Sequence, residues 1–131
     1  MVAIDTNVAV RLLVNDDPAQ TKQAADLFTA HQIFIPKTVV LETEWVLRGA
    51  YQLERTKVNT ALRSLLSLKQ VVVEDETALF AALDRHAKGM DFADALHVAS
   101  SARADRFATF DASLKKRARE MSLVPEVTGL R

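Results

Sequence analysis

Cysteine is absent from the 131 residues of this chain. Its absence excludes disulfides, thiolate metal sites and a cysteine nucleophile. No apolar run reaches the roughly 18 residues that a membrane span requires, and the first residues show no signal-peptide pattern. Repeats, low-complexity segments and Gly/Ser linkers are also missing. We therefore expect a cytoplasmic protein with no membrane association, folded as a single domain over residues 1–131.

Charge of one sign is not in excess, because 17 basic and 17 acidic residues give a formal net charge of zero. Sequence-independent nucleic-acid binders are usually clearly basic. Any nucleic-acid binding must therefore depend on local patches. One basic run follows Asp111 and consists of Lys115, Lys116, Arg117 and Arg119. It is either a solvated helix face or a set of phosphate contacts.

Short apolar segments alternate with amphipathic ones along the whole chain. Predicted strands are Val2–Ile4, Ile33–Ile35, Val71–Val73, Phe107–Phe110 and Leu123-Val124. The helical spacing of apolar residues between them predicts amphipathic helices. These are Thr6 to Val14, a helix from Asp17-Pro18, Val39 to Leu53, one through Val58 and Leu66, one through Leu79 that ends at Gly89, Asp91 to Ala102, and Ser113 to Glu120. This alternation predicts an α/β fold with a mostly parallel sheet.

Four acidic residues stand at the ends of apolar stretches: Asp5, Glu42, Asp94 and Asp111. A desolvated carboxylate is costly unless another group pairs with it. Several carboxylates brought together would bind a divalent cation, and such a site indicates phosphate chemistry.

Asp5 and Asp111 each directly follow a predicted strand. The carboxyl ends of parallel strands lie along one edge of a sheet, where such folds bind ligands. Both acids also have a simpler interpretation, as a helix cap and a turn residue. Thr6 and Asn7 add a hydroxyl and an amide that suit the orientation of a carboxylate or of a metal-bound water.

The remaining acids lie on predicted helices. Asp91 and Asp94 share one side of a helix start, and capping explains Asp91 well. Apolar neighbours favour an inward position for Asp94. His97 could share its helix face, but no second histidine has metal-site spacing to it, so we expect a packed or half-exposed histidine. Glu42 taken alone is weak evidence for a site, because a single helical glutamate is usually exposed. Its neighbour Glu44 is expected to be the solvated acid.

Together these residues resemble the PIN-domain family, and within it the VapC-type toxins of toxin–antitoxin pairs. The resemblance covers nearly the whole chain. The four matching segments, in order, are Ile4-Asp5-Thr6-Asn7, Val40-Leu41-Glu42 with Trp45-Val46-Leu47-Arg48, Asp91-Phe92-Ala93-Asp94-Ala95-Leu96, and Ala108-Thr109-Phe110-Asp111.

The resemblance implies a three-layer α/β/α fold with a mostly parallel sheet of four to five strands. It also implies an endoribonuclease that depends on Mg²⁺ or Mn²⁺, forms a homodimer and is inhibited by a VapB-type antitoxin. The family's four acids match Asp5, Glu42, Asp94 and Asp111, as catalytic and metal-binding residues. Supporting positions are Thr6, Asn7, Asp91 and Thr109.

Mg²⁺ retains several waters, so one or two direct carboxylates suffice to bind it. As a hypothesis, Asp5 and Asp94 are the direct ligands. Glu42 and Asp111 would then bind through water or complete a second metal position. Metal-activated water would attack the phosphodiester.

Three other interpretations remain open. A receiver-like phospho-acceptor domain has a similar size and α/β pattern, but it needs an acidic pair after the first strand, where Asp5 stands alone. A non-catalytic module could use the acids to recruit a basic partner and would need no metal. A structure-specific DNA nuclease of the same fold is the third alternative.

Overall fold

The strands and helices form two compact units, Met1–Glu76 and Thr77–Arg131. The structure is a computed structural model, and it describes residues 1–130. The predicted single domain includes Arg131, which lies outside the described residues, and it stays a prediction. No helix in the described range is long and apolar enough to cross a membrane.

The first unit is built on a parallel ladder of three strands in the order β1-β2-β3. Val2 pairs with Ile33, and Ile33 pairs in turn with Val71. The elements in chain order are β1 (Val2–Ala3), α1 (Thr6–Leu13), α2 (Pro18–Ala30), β2 (Ile33–Ile35), α3 (Lys37–Gly49), α4 (Arg55–Leu66) and β3 (Val71–Val73). The central strand β2 consists of apolar residues, and its first and last residues are fully buried. Such a strand is expected in a parallel sheet, which is covered on both faces.

The described residues of the second unit form three helices and a parallel ladder of two strands. Its elements are α5 (Glu76–Ala87, which starts at the last residue of the first unit), α6 (Phe92–Ala99), β4 (Arg106–Thr109), α7 (Ala112–Glu120) and β5 (Glu126–Gly129). Arg106 pairs with Glu126 and Thr109 with Gly129. Leu79, Leu83 and Phe92 are buried in its core.

Aspartates cap four of the helices in residues 1–130, and three of them are the candidate residues Asp5, Asp91 and Asp111. Asp5, Asp17, Asp91 and Asp111 each accept a backbone N–H from the first turn of the helix that follows. A carboxylate at this position satisfies an otherwise unpaired donor and interacts favourably with the helix dipole.

The predicted α/β class and the parallel pairing are confirmed, with three differences of detail. The five strands of residues 1–130 form one three-stranded and one two-stranded ladder. The last strand is Glu126–Gly129 and not Leu123-Val124, because the pairing with β4 begins at Glu126. The helix predicted from Val39 to Leu53 starts directly after Pro36 and ends at Gly49.

Candidate active site

Asp5 lies between the end of β1 and the start of α1. Its Oδ1 accepts the backbone N–H of Val8 at 3.1 Å. The residue is exposed, and its second carboxylate oxygen accepts no hydrogen bond from the described residues. The capping interpretation is therefore correct for one oxygen, while the other remains available to a metal ion or water.

Glu42 lies on α3 and is held by the residue that follows Asp5. The Thr6 hydroxyl donates a hydrogen bond to Glu42 Oε1. This contact joins the first residue of α1 to the middle of α3. Glu42 is exposed, and its Oε2 accepts nothing from the described residues. Two of the predicted acids in the first unit thus belong to one local structure.

Asn7 is exposed and turns toward a different surface. It lines a groove of about 330 Å³ between α1 and α2, together with Arg11 and Gln20. Within the described range its side chain makes no hydrogen bond to Asp5 or Glu42. Its supporting role stays a prediction.

In the second unit, Asp91, Asp94 and Asp111 form a group that we call the carboxylate cluster. Burial raises the pKa of Asp94, and the charges of Asp91 and then Asp111 raise it further, while the nearby His97 lowers it. These effects require all three acids to lie within electrostatic range of one another. His97 itself is exposed, so it is neither packed nor half-exposed as the sequence predicts.

Hydrogen bonds fix two members of the carboxylate cluster. Asp91 Oδ2 accepts the N–H of Asp94 at 3.0 Å. Asp111 Oδ1 accepts from Ser113 and Leu114, and its own N–H donates to Thr109 Oγ1 at 3.0 Å. Among the described residues, nothing donates to Asp91 Oδ1, to Asp111 Oδ2 or to either oxygen of Asp94. Thr109 thus supports Asp111 through the backbone.

The free carboxylate oxygens fit a hard cation that retains its water. Residues 1–130 contain no group of three or more His, Asp or Glu side chains placed to hold a metal ion. Mg²⁺ needs only one or two carboxylates, and a cation would relieve the repulsion that raises the pKa of Asp94. The donor atoms are therefore of the type that hard divalent cations prefer, and the choice of Mg²⁺ or Mn²⁺ stays a prediction. The four-carboxylate centre stays a prediction.

The expectation that Glu44 is a solvated acid is wrong. Only 2 % of this residue is exposed, and its carboxylate accepts a hydrogen bond from Arg48 Nε at 2.8 Å. Glu44 lies four residues after buried Val40 and three before buried Leu47, so it falls on the apolar stripe of α3. That spacing was the signal that could have identified it.

Two exposed aromatic residues beside the acids were also missed. Trp45 on α3 is 63 % exposed, and Phe110, directly before Asp111, is 75 % exposed. Single exposed apolar side chains are common. These two are candidates for ligand contacts because each lies within three positions of a candidate acid.

The predicted basic run lies on α7, which Asp111 caps. Lys116 and Arg119 are exposed, whereas Lys115 and Arg117 are partly buried. The Lys115 side chain lies over Gly129 of β5. Two of the four basic side chains are thus exposed and two are partly packed against the protein. Only the exposed pair is fully available to phosphates.

The sequence matches the PIN domain family over residues 2–120. The chain belongs to the PIN domain family. A comparison with curated proteins gave no match.

PIN domains are generally metal-dependent nucleases. The α/β class and the parallel strands of this chain are those expected of a PIN domain. The match includes every candidate acid, since Asp5 and Asp111 lie near its two ends. Family membership therefore favours a nuclease over the receiver-like alternative.

Proposed function

We propose that this PIN domain is an endoribonuclease that depends on Mg²⁺ or Mn²⁺ and acts as the toxin of a VapBC-type pair. Family membership supports the nuclease class. The carboxylate cluster is the observation that carries the proposal. Three acids share one electrostatic environment there, and each has a carboxylate oxygen that no described residue satisfies. Such repulsion lowers the stability of the metal-free protein, and a bound cation would relieve it.

We assign Asp5 and Asp94 as direct metal ligands, with Glu42 and Asp111 acting through water or at a second metal position. A bound divalent cation would supply charge neutralisation at the phosphate and an acidified water. The protein's part is orientation. Thr6 fixes Glu42, and Thr109 with the start of α7 fixes Asp111. Each of these two acids keeps a free oxygen that would accept a hydrogen bond from a water molecule.

Cleavage of total cellular RNA by the purified protein tests the activity. We expect discrete products with Mg²⁺ or Mn²⁺, none with EDTA, and none from Asp5→Asn. Asn retains a capping oxygen for Val8, so that variant should fold normally. Single-stranded and duplex DNA assayed beside the RNA identify a DNA nuclease. Equal cleavage by folded Asp5→Asn would refute the site assignment, and preference for DNA would refute the RNA assignment.

The toxin role implies two protein partners, a second copy of the chain and a VapB-type antitoxin, in the cytoplasm. Trp45 on α3 and Leu68 after α4 are exposed apolar side chains that suit such contacts. An antitoxin arginine could also take the place of the cation among the carboxylates. Light scattering of the protein alone and cleavage assays with added antitoxin test both points. A monomer, or cleavage that the antitoxin leaves undiminished, would contradict them.

A non-catalytic binding module is the second candidate. It is favoured by one observation, namely that no three candidate ligands within residues 1–130 are placed to hold a metal ion. Calorimetric titration with Mg²⁺ and Mn²⁺ separates the two functions. A nuclease should bind metal and lose that binding in Asp94→Asn, whereas a protein-recruiting module should show no metal binding.

A further inference from the structure

Phe110 is the most exposed large hydrophobic side chain in the part of the chain that the structure describes, at 75 %. An apolar side chain this open gains almost nothing for folding, since its stabilising effect depends on removing apolar area from water. The position directly precedes Asp111 of the carboxylate cluster. The exposed ring is therefore better explained by a role in binding a ligand than by a role in folding.

The backbone around Phe110 is fixed on both sides. Before it, the Thr109 carbonyl accepts the N–H of Leu130 at 2.7 Å, which extends the β4–β5 ladder. After it, the Asp111 N–H is bonded to Thr109 Oγ1, and the Asp111 carboxylate caps α7. The ring thus projects from a turn whose backbone is already ordered before a ligand binds. Such preorganisation favours recognition.

Electrostatics alone gives RNA little attraction to this place. The chain carries no net charge, and the carboxylate cluster repels phosphates until a cation is bound. Aromatic rings bind nucleobases through stacking, which does not depend on charge and is available only to bases that are unpaired. An exposed phenyl ring on a fixed backbone, beside acids that act on a phosphate, is therefore suited to hold the adjacent base.

We propose that Phe110 stacks on an unpaired nucleobase next to the phosphate that the carboxylate cluster acts on. This inference rests on the proposed ribonuclease function. Lys116 and Arg119, exposed on the helix that starts at Asp111, would contact the flanking phosphates. Phe110 is then a binding residue that selects unpaired substrate, while the acids carry out the hydrolysis.

The test uses Asp94→Asn protein. This variant loses the metal but also one of the negative charges that repel phosphate, so it should bind RNA without cleaving it. Its probe is an unstructured oligoribonucleotide with 2-aminopurine in place of adenine, since the fluorescence of this base is quenched by stacking. Adding Phe110→Ala should weaken binding roughly 5- to 150-fold and abolish the quenching. Phe110→Trp should keep the affinity and the quenching of the unsubstituted position. Phe110→Leu, which is apolar but cannot stack, should lose both. The same sequence as a duplex should bind equally to all variants.

Val124→Ala is the matched control. Val124 is 73 % exposed and precedes β5, whose first residue pairs at the opposite end of β4 from Phe110. It should change neither binding nor quenching. Equal binding by Phe110→Ala, or full binding by Phe110→Leu, would overturn the stacking role. A change of oligomeric state in Phe110→Ala, measured by light scattering, would instead assign the ring to a protein interface.

Failure of this inference is distinguishable from failure of the proposed function. Wild-type protein that cleaves RNA with Mg²⁺ or Mn²⁺, together with an unaffected Phe110→Ala variant, overturns only the stacking role. Folded wild-type protein that neither cleaves RNA nor binds the probe overturns both.

Discussion

The Thr6 hydroxyl donates a hydrogen bond to the Glu42 carboxylate and so connects two candidate functional segments that are 36 residues apart in sequence. Thr6 is the first residue of α1, directly after Asp5, and Glu42 lies in α3. Because Glu42 is exposed, a free glutamate at this position would sample several rotamers. The hydroxyl restricts it to one orientation.

Thr6→Val should therefore impair activity more than stability. Valine keeps the shape of threonine but cannot donate a hydrogen bond. We expect a loss of about 1 kcal/mol in the free energy of unfolding and a decrease of about 10- to 100-fold in metal affinity or cleavage rate. Thr6→Ser keeps the donor and should retain most of the activity. Unfolding by urea and steady-state cleavage measure the two effects, and wild-type cleavage by Thr6→Val would show that Glu42 needs no such support.

The buried carboxylate of Glu44 makes a second prediction possible. Its side chain is 3 % exposed and pairs with Arg48. Arg48→Met leaves the acid buried without this donor, so we expect a loss of about 1–3 kcal/mol in the free energy of unfolding. Lys22→Met is the control, because Lys22 and Asp26 form a pair of the same spacing in which both side chains are largely exposed. It should have no measurable effect. Equal effects of the two variants would contradict this account.

Local chemistry determined the parts of the structure that the sequence predicted well. Asp17-Pro18 starts α2 as expected, because an aspartate cap and a proline in the first turn both favour a helix start. The β-branched run Val71–Val73 is a strand with the predicted bounds. Asp91 caps α6, and the apolar neighbours of Asp94 correctly indicated partial burial.

The errors came from features that tertiary pairing decides. Glu126–Gly129 alternates polar and apolar residues weakly and forms β5 only because it pairs with β4. Glu44 is buried because Arg48 satisfies it, and a charged residue on an apolar stripe gives no indication of its partner. The exposure of Phe110 depends on the turn between β4 and α7, which periodicity does not describe.

Gly89 allows the chain to turn between α5 and the carboxylate cluster. Its φ is +105°, and a β-carbon there would lie 3.0 Å from Arg117 Nη1. Since Arg117 has a flexible end, most of the penalty of Gly89→Ala is backbone strain, about 1–3 kcal/mol. Gly49→Ala is the control, because Gly49 has open space and an ordinary helical position. It should be neutral or slightly stabilising. Thermal unfolding compares the two, and similar midpoints would contradict the strain.

The raised pKa of Asp94 predicts that this residue lowers the stability of the metal-free protein. Burial and the charges of Asp91 and Asp111 hold this pKa above its ordinary value of 3.8, so the folded state disfavours the ionised form. The penalty is absent below pH 3.8, where the carboxyl is protonated in both states, and complete once the pH exceeds the folded pKa. In EDTA at pH 7, Asp94→Asn should therefore unfold at a higher temperature than wild type, although it should cleave no RNA. The difference should disappear as the pH falls, and Mg²⁺ should raise the melting temperature of wild type only. A less stable Asp94→Asn at pH 7 would mean that Asp94 supports the fold and would remove the main argument for a metal-binding role.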